Sequence, residues 1–363
     1  MQGKGTGRIS FEKGTVRFDT KQAGQTHTTE TMKKRILFVV NPISGTGNKS
    51  YICDEIEENL DVSLFDYDIK FTEHKGHASE LTKEAVGRSV DICVAVGGDG
   101  TVNEVARSVI HTQTALGIIP CGSGNGLARH LQIPQNAKRA IAIINKDTIH
   151  TLDYGRINGY PFFCTCGMGF DAFVSEKFAE SGKRGLLSYV RNTVKAGLRY
   201  KAQTYVIKDD KGVETHEAFL IACANASQYG NNAYIAPRAS MKDGLMDIVI
   251  MKPFKTIEGA QVALQMFTKT LSNNSHIETF KAKKVHISRP CEGPVHCDGE
   301  PMIMGKELDV ELISNSFNVV INPDEHKRWG LLQDVTDYVD EMFRSFLNSV
   351  DFTLLPTKDR QQK

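Results

Sequence analysis

Val94-Ala95-Val96-Gly97-Gly98-Asp99-Gly100-Thr101-Val102-Asn103-Glu104-Val105-Ala106 is the stretch that decides the fold. Its first residues continue an apolar run from Ile92, which is typical of a buried parallel strand. Apolar residues at helical spacing follow the glycines. Three glycines around one carboxylate allow the backbone to approach a ligand closely and to aim N–H groups at it. A tight strand-to-helix turn with an exposed Asp99 is the alternative that this stretch leaves open.

The composition is that of a globular protein with two domains. The chain has 363 residues, of which 40% are hydrophobic and 8% aromatic. Lys and Arg number 44 against 43 Asp and Glu, so no clustered basic charge points to nucleic acid. No apolar run is long enough to span a bilayer, and no signal peptide is visible. Cysteines inside apolar runs, such as Cys93 and Cys223, favour a reducing, cytoplasmic location.

Residues 32–152 alternate strand and helix patterns, which predicts a mostly parallel sheet covered by helices. Ligands of such sheets bind beyond the carboxyl ends of the strands. Glycine-rich loops at 41–48, 97–100 and 121–126 all follow predicted strands. We therefore expect the three loops to line a single cleft.

Residues 153–319 show short strand-like runs separated by turn signals, which predicts a mainly antiparallel sheet or sandwich. Residues 1–31 are rich in Gly, Thr and Lys without periodicity, and we expect an irregular extension. The segment 331–350 has helical spacing, and the chain from about 320 to 350 is expected to pack back on the first domain. Residues 351–363 are expected to form a flexible tail.

Several short motifs occur in an order that resembles the diacylglycerol kinase catalytic-domain family, which includes sphingosine kinases and bacterial soluble lipid kinases. The resemblance covers about residues 33–325. The motifs are Asn41-Pro42 with Ser44-Gly45, Thr72 with Gly76-His77-Ala78, Gly97 to Glu104, Gly122-Ser123-Gly124-Asn125, Gly169-Phe170-Asp171-Ala172, Ala236-Pro237 with Asp243 to Asp247, and Asp298-Gly299-Glu300. The resemblance implies an α/β domain similar to that of NAD kinases and phosphofructokinases, followed by a β-sandwich domain.

The resemblance also implies a nucleotide site on the first domain, for ATP with Mg²⁺. Backbone N–H groups and a helix N-terminus near Thr101 suit phosphate binding. Glu104 lies one helical turn further on, and capping of that helix is its alternative role. The residues implied in nucleotide binding are Asn41, Ser44, Gly45, Thr72, Gly97, Gly98, Asp99, Gly100, Thr101, Glu104, Gly122, Ser123, Gly124 and Asn125.

Three acids are candidates for the chemistry. Within the family resemblance, Glu300 is favoured as the base that accepts the hydroxyl proton, while Asp99 positions metal and phosphates. Asp171 is expected to contact the acceptor head group. A base must lie within hydrogen-bond reach of the hydroxyl, and the sequence leaves open which acid does so. Helix capping is the alternative for both Asp99 and Asp171.

A structural Mg²⁺ is implied at Asp243, held together with the carbonyl groups of Ser240 and Leu245. Oxygen ligands suit this hard cation. The alternative is a hairpin turn that the Asp-Gly pair favours by itself.

Position 126 departs from the bacterial diacylglycerol kinases, which carry Asp there, whereas sphingosine kinases carry a small residue. Gly126 therefore makes a sphingoid base, or another single-chain lipid alcohol, a candidate substrate beside diacylglycerol. We expect a lipid kinase that contacts a membrane peripherally, and a homodimer is left open. The alternatives are an NAD kinase-like phosphotransferase and a catalytically silent lipid- or nucleotide-binding regulator.

Overall fold

A computed structural model describes residues 33–44, 50–181, 200–255 and 258–323. The expectations for residues 1–31, for Gly45, and for the chain beyond residue 323 lie outside these ranges. So does a helix that the spacing predicts near 185–199. Among the helices of the described ranges, none combines the length and apolar character needed to cross a bilayer.

The first lobe is the predicted α/β domain. Its four parallel strands lie in the order β2-β1-β3-β4, and helices cover them. The third strand is buried along its whole length, which explains its continuous apolar sequence. The strands are β1 (Lys34–Val40), β2 (Phe65–Phe71), β3 (Ile92–Gly97) and β4 (Ala115–Pro120), and the helices are α1 (Ser50–Asn59), α2 (His77–Gly87), α3 (Asp99–Val109), α4 (Gly126–His130) and α5 (Ala137–Ile144).

The second lobe is the predicted antiparallel β-sandwich. Its strands are β5 (Ile149–Ile157), β6 (Tyr160–Phe162), β7 (Thr165–Gly169), β8 (Gln203–Lys208), β9 (Val213–Ala218), β10 (Leu220–Ala224), β11 (Met246–Met251), β12 (Ile277–Ala282), β13 (Lys284–Ser288), β14 (Gly293–Cys297), β15 (Glu300–Met304) and β16 (Glu307–Val320). Its described helices are α6 (Phe170–Ser181) and α7 (Gly259–Phe267), with a 3-10 turn at Leu271–Asn273.

Strand β16 joins the two lobes. It pairs antiparallel with β13 near its start and parallel with β4 near its end, so one sheet runs through both lobes. The spacing predicts two separate runs here, but the structure has one strand with an irregularity between Ile313 and Phe317. Buried Asp153 holds it, because one carboxylate oxygen accepts the Asn315 N–H at 2.8 Å and the other accepts the Gly244 N–H at 2.9 Å.

The second sheet has the order β12-β11-β10-β7-β14-β15, and its strands β11, β10 and β7 are buried on both faces. In β10, Ile221 and Cys223 point to the core between the two sheets. Leu220 and Ala222 point the other way, to a core that includes Val262 of α7. The strict alternation of side chains along a strand explains this division. The outer core borders the cavity described next.

Candidate functional site

A cavity of about 1450 Å³ lies between the two lobes and continues under α7. It brings together residues from both predicted domains. The predicted site residues that line it are Asn41, Thr72, Asp99, Gly100, Thr101, Glu104, Ser123, Gly124, Asp171 and Glu300. Ser44, Gly97, Gly98, Gly122 and Asn125 belong to the same loops but do not line the cavity. The single cleft that the glycine-rich loops predict is therefore present.

The glycine-rich loops pack backbone against backbone. A Cβ atom on Gly122 would lie 2.6 Å from the Cα of Gly98, and a Cβ on Gly97 would lie 2.5 Å from Thr101 Oγ1. Asn125 closes its own loop, accepting the Gly122 N–H at 3.0 Å and donating to the Gly122 carbonyl at 2.7 Å. Gly122 is thus required for the two loops to approach each other, and Gly97 is required for the tight turn into α3.

Asp99 caps a helix that is not its own. Its two carboxylate oxygens accept the N–H groups of Gly126, at 2.7 Å, and Asn125, at 2.9 Å, where α4 begins. Burial raises the pKa of the Asp99 carboxyl, and these backbone hydrogen bonds oppose the rise. A Cβ on Gly124 would lie 2.6 Å from Asp99 Oδ2. The acid thus joins two glycine-rich loops while it borders the cleft.

Glu104 also caps a different helix from the one it belongs to. Its carboxylate accepts the N–H groups of Gly76, at 2.9 Å, and Ala78, at 3.1 Å, at the start of α2. On the neighbouring loop, the Asn41 amide donates to Thr101 Oγ1 at 3.1 Å. The polar residues of the first lobe therefore hold one another in place around the cleft.

Asp171 is part of a buried hydrogen-bonded cluster. Its Oδ2 accepts hydrogen bonds from the Tyr229 hydroxyl and from His296 Nε2, both at 3.0 Å. The Gly299 N–H donates to His296 Nδ1 at 3.4 Å, so Nδ1 is an acceptor. The N–H of the neutral imidazole ring is then on Nε2, from which it donates to Asp171. The His296 side chain is 2% exposed, and the Asp171 side chain is 10% exposed.

Glycine at position 167 is what allows this cluster to form. A Cβ there would lie 2.6 Å from His296 Nε2 and closer still to Asp171 Oδ2. The sequence motifs do not assign His296 or Tyr229 to the chemistry. His296 lies two residues before the Asp298-Gly299-Glu300 motif, and this position is the sequence feature that could have identified it as a site residue.

Glu300 receives donors from both lobes. Lys75 Nζ lies 2.8 Å from Oε1, while the Arg107 guanidinium, at 3.1 and 3.2 Å, and the Tyr160 hydroxyl, at 3.1 Å, reach Oε2. Burial by itself would raise the pKa of Glu300, but the hydrogen bond from Lys75 and the charges of Arg107 and Lys75 outweigh it and lower the pKa. Nothing in the sequence pattern identified these three partners.

Asp298, in the same motif, has a structural role. Its buried carboxylate accepts the N–H groups of Phe163, Cys164 and Thr165 at 2.7 to 3.0 Å. These bonds fix the turn between β6 and β7, where the sequence predicts a single strand over 160–166. Asp298 thus builds the loop that places Glu300 at the cleft.

The part of the cavity under α7 is apolar. Aromatic rings cluster at its wall, with the centroids of Phe170 and Phe219 4.4 Å apart and those of Phe219 and Phe254 5.0 Å apart. Val262 and Met266 of α7 also line this part of the cavity. This chamber suits an alkyl chain, because apolar surface is favourably removed from water there.

Lys281 neutralises the acid that the sequence assigns to structural Mg²⁺. Its ammonium lies 2.9 Å from the Asp243 carboxylate and 2.8 Å from that of Asp247. The N–H of Leu245 donates to Asp243 at 3.2 Å, so the Asp-Gly turn is closed by its own hydrogen bond. Among the described residues, no three His, Cys, Asp or Glu side chains form a metal-binding group. Mg²⁺ coordination by Asp243, Ser240 and Leu245 stays a prediction.

Comparison with known proteins agrees with this architecture. Residues 35–157 match the family described as the diacylglycerol kinase catalytic domain, and residues 164–319 match the YegS C-terminal NAD kinase beta sandwich-like domain. A diacylglycerol kinase of Bacillus subtilis is 27% identical over 273 residues, which cover 74% of this chain and 90% of that protein. A Klebsiella pneumoniae protein named "Probable lipid kinase YegS-like" is 29% identical over 266 residues, which cover 71% of this chain and 87% of that protein.

Solved structures give the same result. The crystal structure of a diacylglycerol kinase from Bacillus anthracis superposes with a TM-score of 0.64 at 25% identity, covering 80% of this chain and 98% of that one. The two-lobed fold and the matches to both lobes define a lipid kinase architecture. Residues 35–157 thus belong to the diacylglycerol kinase catalytic-domain family, and the YegS-type sandwich domain follows them.

Proposed function

We propose that this protein transfers the γ-phosphoryl group of ATP to a primary hydroxyl of a lipid. The observation that carries the proposal is the continuity of one cavity, which is lined by Gly100 and Ser123 of the glycine-rich loops and by Phe254 and Met266 of the apolar chamber. Transfer between a nucleotide and a lipid requires both substrates to be held in one cleft.

The first lobe is the proposed nucleotide side. Asn41, Thr101 and Ser123 line it, together with Gly100 and Gly124 of the glycine-rich loops. Asp99 fits Mg²⁺ there, because each carboxylate oxygen accepts one N–H and has further lone pairs. Mg²⁺ bound with ATP would neutralise charge on the phosphates.

Glu300 is the proposed acceptor of the hydroxyl proton. As the lipid oxygen bonds to the γ-phosphorus, the bond to the β-phosphate oxygen breaks, ADP leaves, and the hydroxyl proton passes to the carboxylate. A loose transition state for phosphoryl transfer requires little base strength, so the lowered pKa of Glu300 is compatible with this role. Asp171 is the proposed contact for the head group, held in place by His296 and Tyr229.

A sphingoid base and diacylglycerol are the proposed substrates. Gly126 supports the sphingoid base, because a Cβ there would already lie 3.2 Å from the Tyr229 carbonyl oxygen and leaves little room for a carboxylate. A lipid substrate supports peripheral contact with a membrane from the cytoplasmic side.

The test is transfer of radiolabelled γ-phosphate from ATP to a panel containing a sphingoid base, a diacylglycerol, a monoacylglycerol and NAD. We expect labelled lipid, and we expect Glu300→Gln and Asp171→Asn to lose most of the activity. Asp66→Asn is a matched control, because that exposed acid pairs with Lys33 away from the cavity.

Labelled NAD without labelled lipid would support an NAD kinase-like phosphotransferase. Nucleotide binding without any labelled acceptor would support the silent regulator. Normal rates in Glu300→Gln would remove Glu300 from catalysis.

A further inference from the structure

Glu300 is bound by two cations of the opposite lobe. Lys75 lies just before α2 and Arg107 lies on α3, whereas Glu300 begins β15. The Arg107 guanidinium also lies over the Tyr160 ring, 4.6 Å from its centroid. The ion pairs therefore cross the cleft between the lobes.

These cations also have the location that a phosphate ligand requires. Within residues 33–44, 50–181, 200–255 and 258–323, Lys75 and Arg107 are the only Lys or Arg residues that line the cavity. The same cavity wall contains Gly100 and Ser123 of the glycine-rich loops. Because phosphoryl transfer requires cationic groups at the transferring phosphate, these two residues are the described candidates.

Both cations retain donors beyond those that Glu300 uses. An ammonium group has three donors, and Lys75 directs one of them at Glu300. A guanidinium has five, and Arg107 Nη1 and Nη2 each direct one N–H at Glu300 and keep a second N–H for a ligand, whereas Nε is buried. The Arg107 side chain is 20% exposed and that of Lys75 is 84% exposed, so both are accessible from the cleft.

We propose that Lys75 and Arg107 bind the terminal phosphate of the nucleotide, and that Glu300 is the internal counter-ion that this phosphate displaces. The inference rests on the proposed function of the cavity as a nucleotide site. A terminal phosphate has more negative charge and more acceptor oxygens than one carboxylate, so it competes effectively for both cations. The exchange releases the Glu300 carboxylate toward the lipid hydroxyl only when a transferable phosphate is present.

The experiment compares the binding of ADP with that of a non-hydrolysable ATP analogue by calorimetry. Lys75→Met and Arg107→Met should each lower the affinity for the ATP analogue by about 10-fold or more, because each removes a charge-assisted contact to the terminal phosphate. The affinity for ADP should change little. Glu300→Gln should tighten analogue binding by about 2- to 10-fold, because it removes the competing anion. Glu311→Gln is the matched control, since it removes an ion pair with Arg156 outside the cavity and should leave both affinities unchanged.

Unchanged or weaker analogue binding in a folded Glu300→Gln variant would overturn the counter-ion role. If Lys75→Met and Arg107→Met lowered the affinities for ADP and for the analogue equally, the assignment of these residues to the terminal phosphate would be overturned. Lys75 is exposed, so Lys75→Met should fold and can be measured even if another variant does not fold. Failure of the wild-type protein to bind either nucleotide would be a different result, because it would overturn the proposed function of the cavity itself.

Discussion

Replacing Gly167 with alanine should separate Asp171 from His296. Gly167 lies in β7, and the added methyl group would lie 2.6 Å from His296 Nε2 and closer to Asp171 Oδ2. The φ angle of Gly167 is not positive, so alanine can adopt the backbone conformation. The methyl group therefore acts on the acid and its partner, which must move apart.

The structure sets the size of the effect. Asp171 Oδ2 accepts two hydrogen bonds, from His296 and Tyr229, and a hydrogen bond to a charged group contributes about 1.5–3 kcal/mol. Loss of one such bond should lower the free energy of unfolding by that amount and the melting temperature by about 3–12 °C. A displacement of about 1 Å at a positioned acid should lower turnover by about 100-fold.

The assay measures three quantities on purified protein: lipid phosphorylation, ADP affinity and thermal unfolding. Gly87→Ala is the matched control, because no atom lies within 4 Å of its added Cβ at the end of α2. We expect Gly167→Ala to lose turnover and stability while ADP affinity stays at the wild-type value. Unchanged turnover in a destabilised Gly167→Ala would refute the positioning role of the cluster, and an unchanged melting temperature would refute the steric argument.

Three further substitutions or conditions test other contacts. Asp99→Asn keeps one good acceptor for two backbone N–H groups, so urea unfolding should show a loss of about 1–3 kcal/mol; full stability would contradict the capping role. Gly126→Asp should lower the free energy of unfolding by about 1–3 kcal/mol in the same measurement, because the new side chain meets the Tyr229 carbonyl. A stable variant that gains diacylglycerol phosphorylation would contradict this steric explanation. Burial, followed by the charge of Lys242, lowers the pKa of His130 from 6.5 to about 4, while the Ser227 N–H donates to its Nδ1. As the pH falls, His130 is protonated in the unfolded state at a higher pH than in the folded state. The free energy of unfolding should therefore fall by about 2 kcal/mol between pH 7 and pH 5. The same pH dependence of stability in His130→Gln would exclude this residue as the cause.

Local sequence predicted much of the first lobe, because each of its elements is specified by its own periodicity. The pattern predicts strands at 65–71 and 92–96, and the structure has Phe65–Phe71 and Ile92–Gly97. The second lobe was predicted less completely. Strands β12, β14 and β15 carry polar residues without a clear alternation, and β14 and β15 each contain a proline, so their partners rather than their own sequence define them.

The sequence by itself determined the strand, glycine-rich turn and helix around Asp99, the two-lobed class and the family resemblance. Only the tertiary structure decided what the acids contact. Glu300 meets Lys75 from 225 residues away, and Asp171 meets His296 from 125 residues away. Asp99 caps a helix that begins 27 residues later. Such contacts depend on the order and register of strands in two sheets, and no local pattern of residues contains that information.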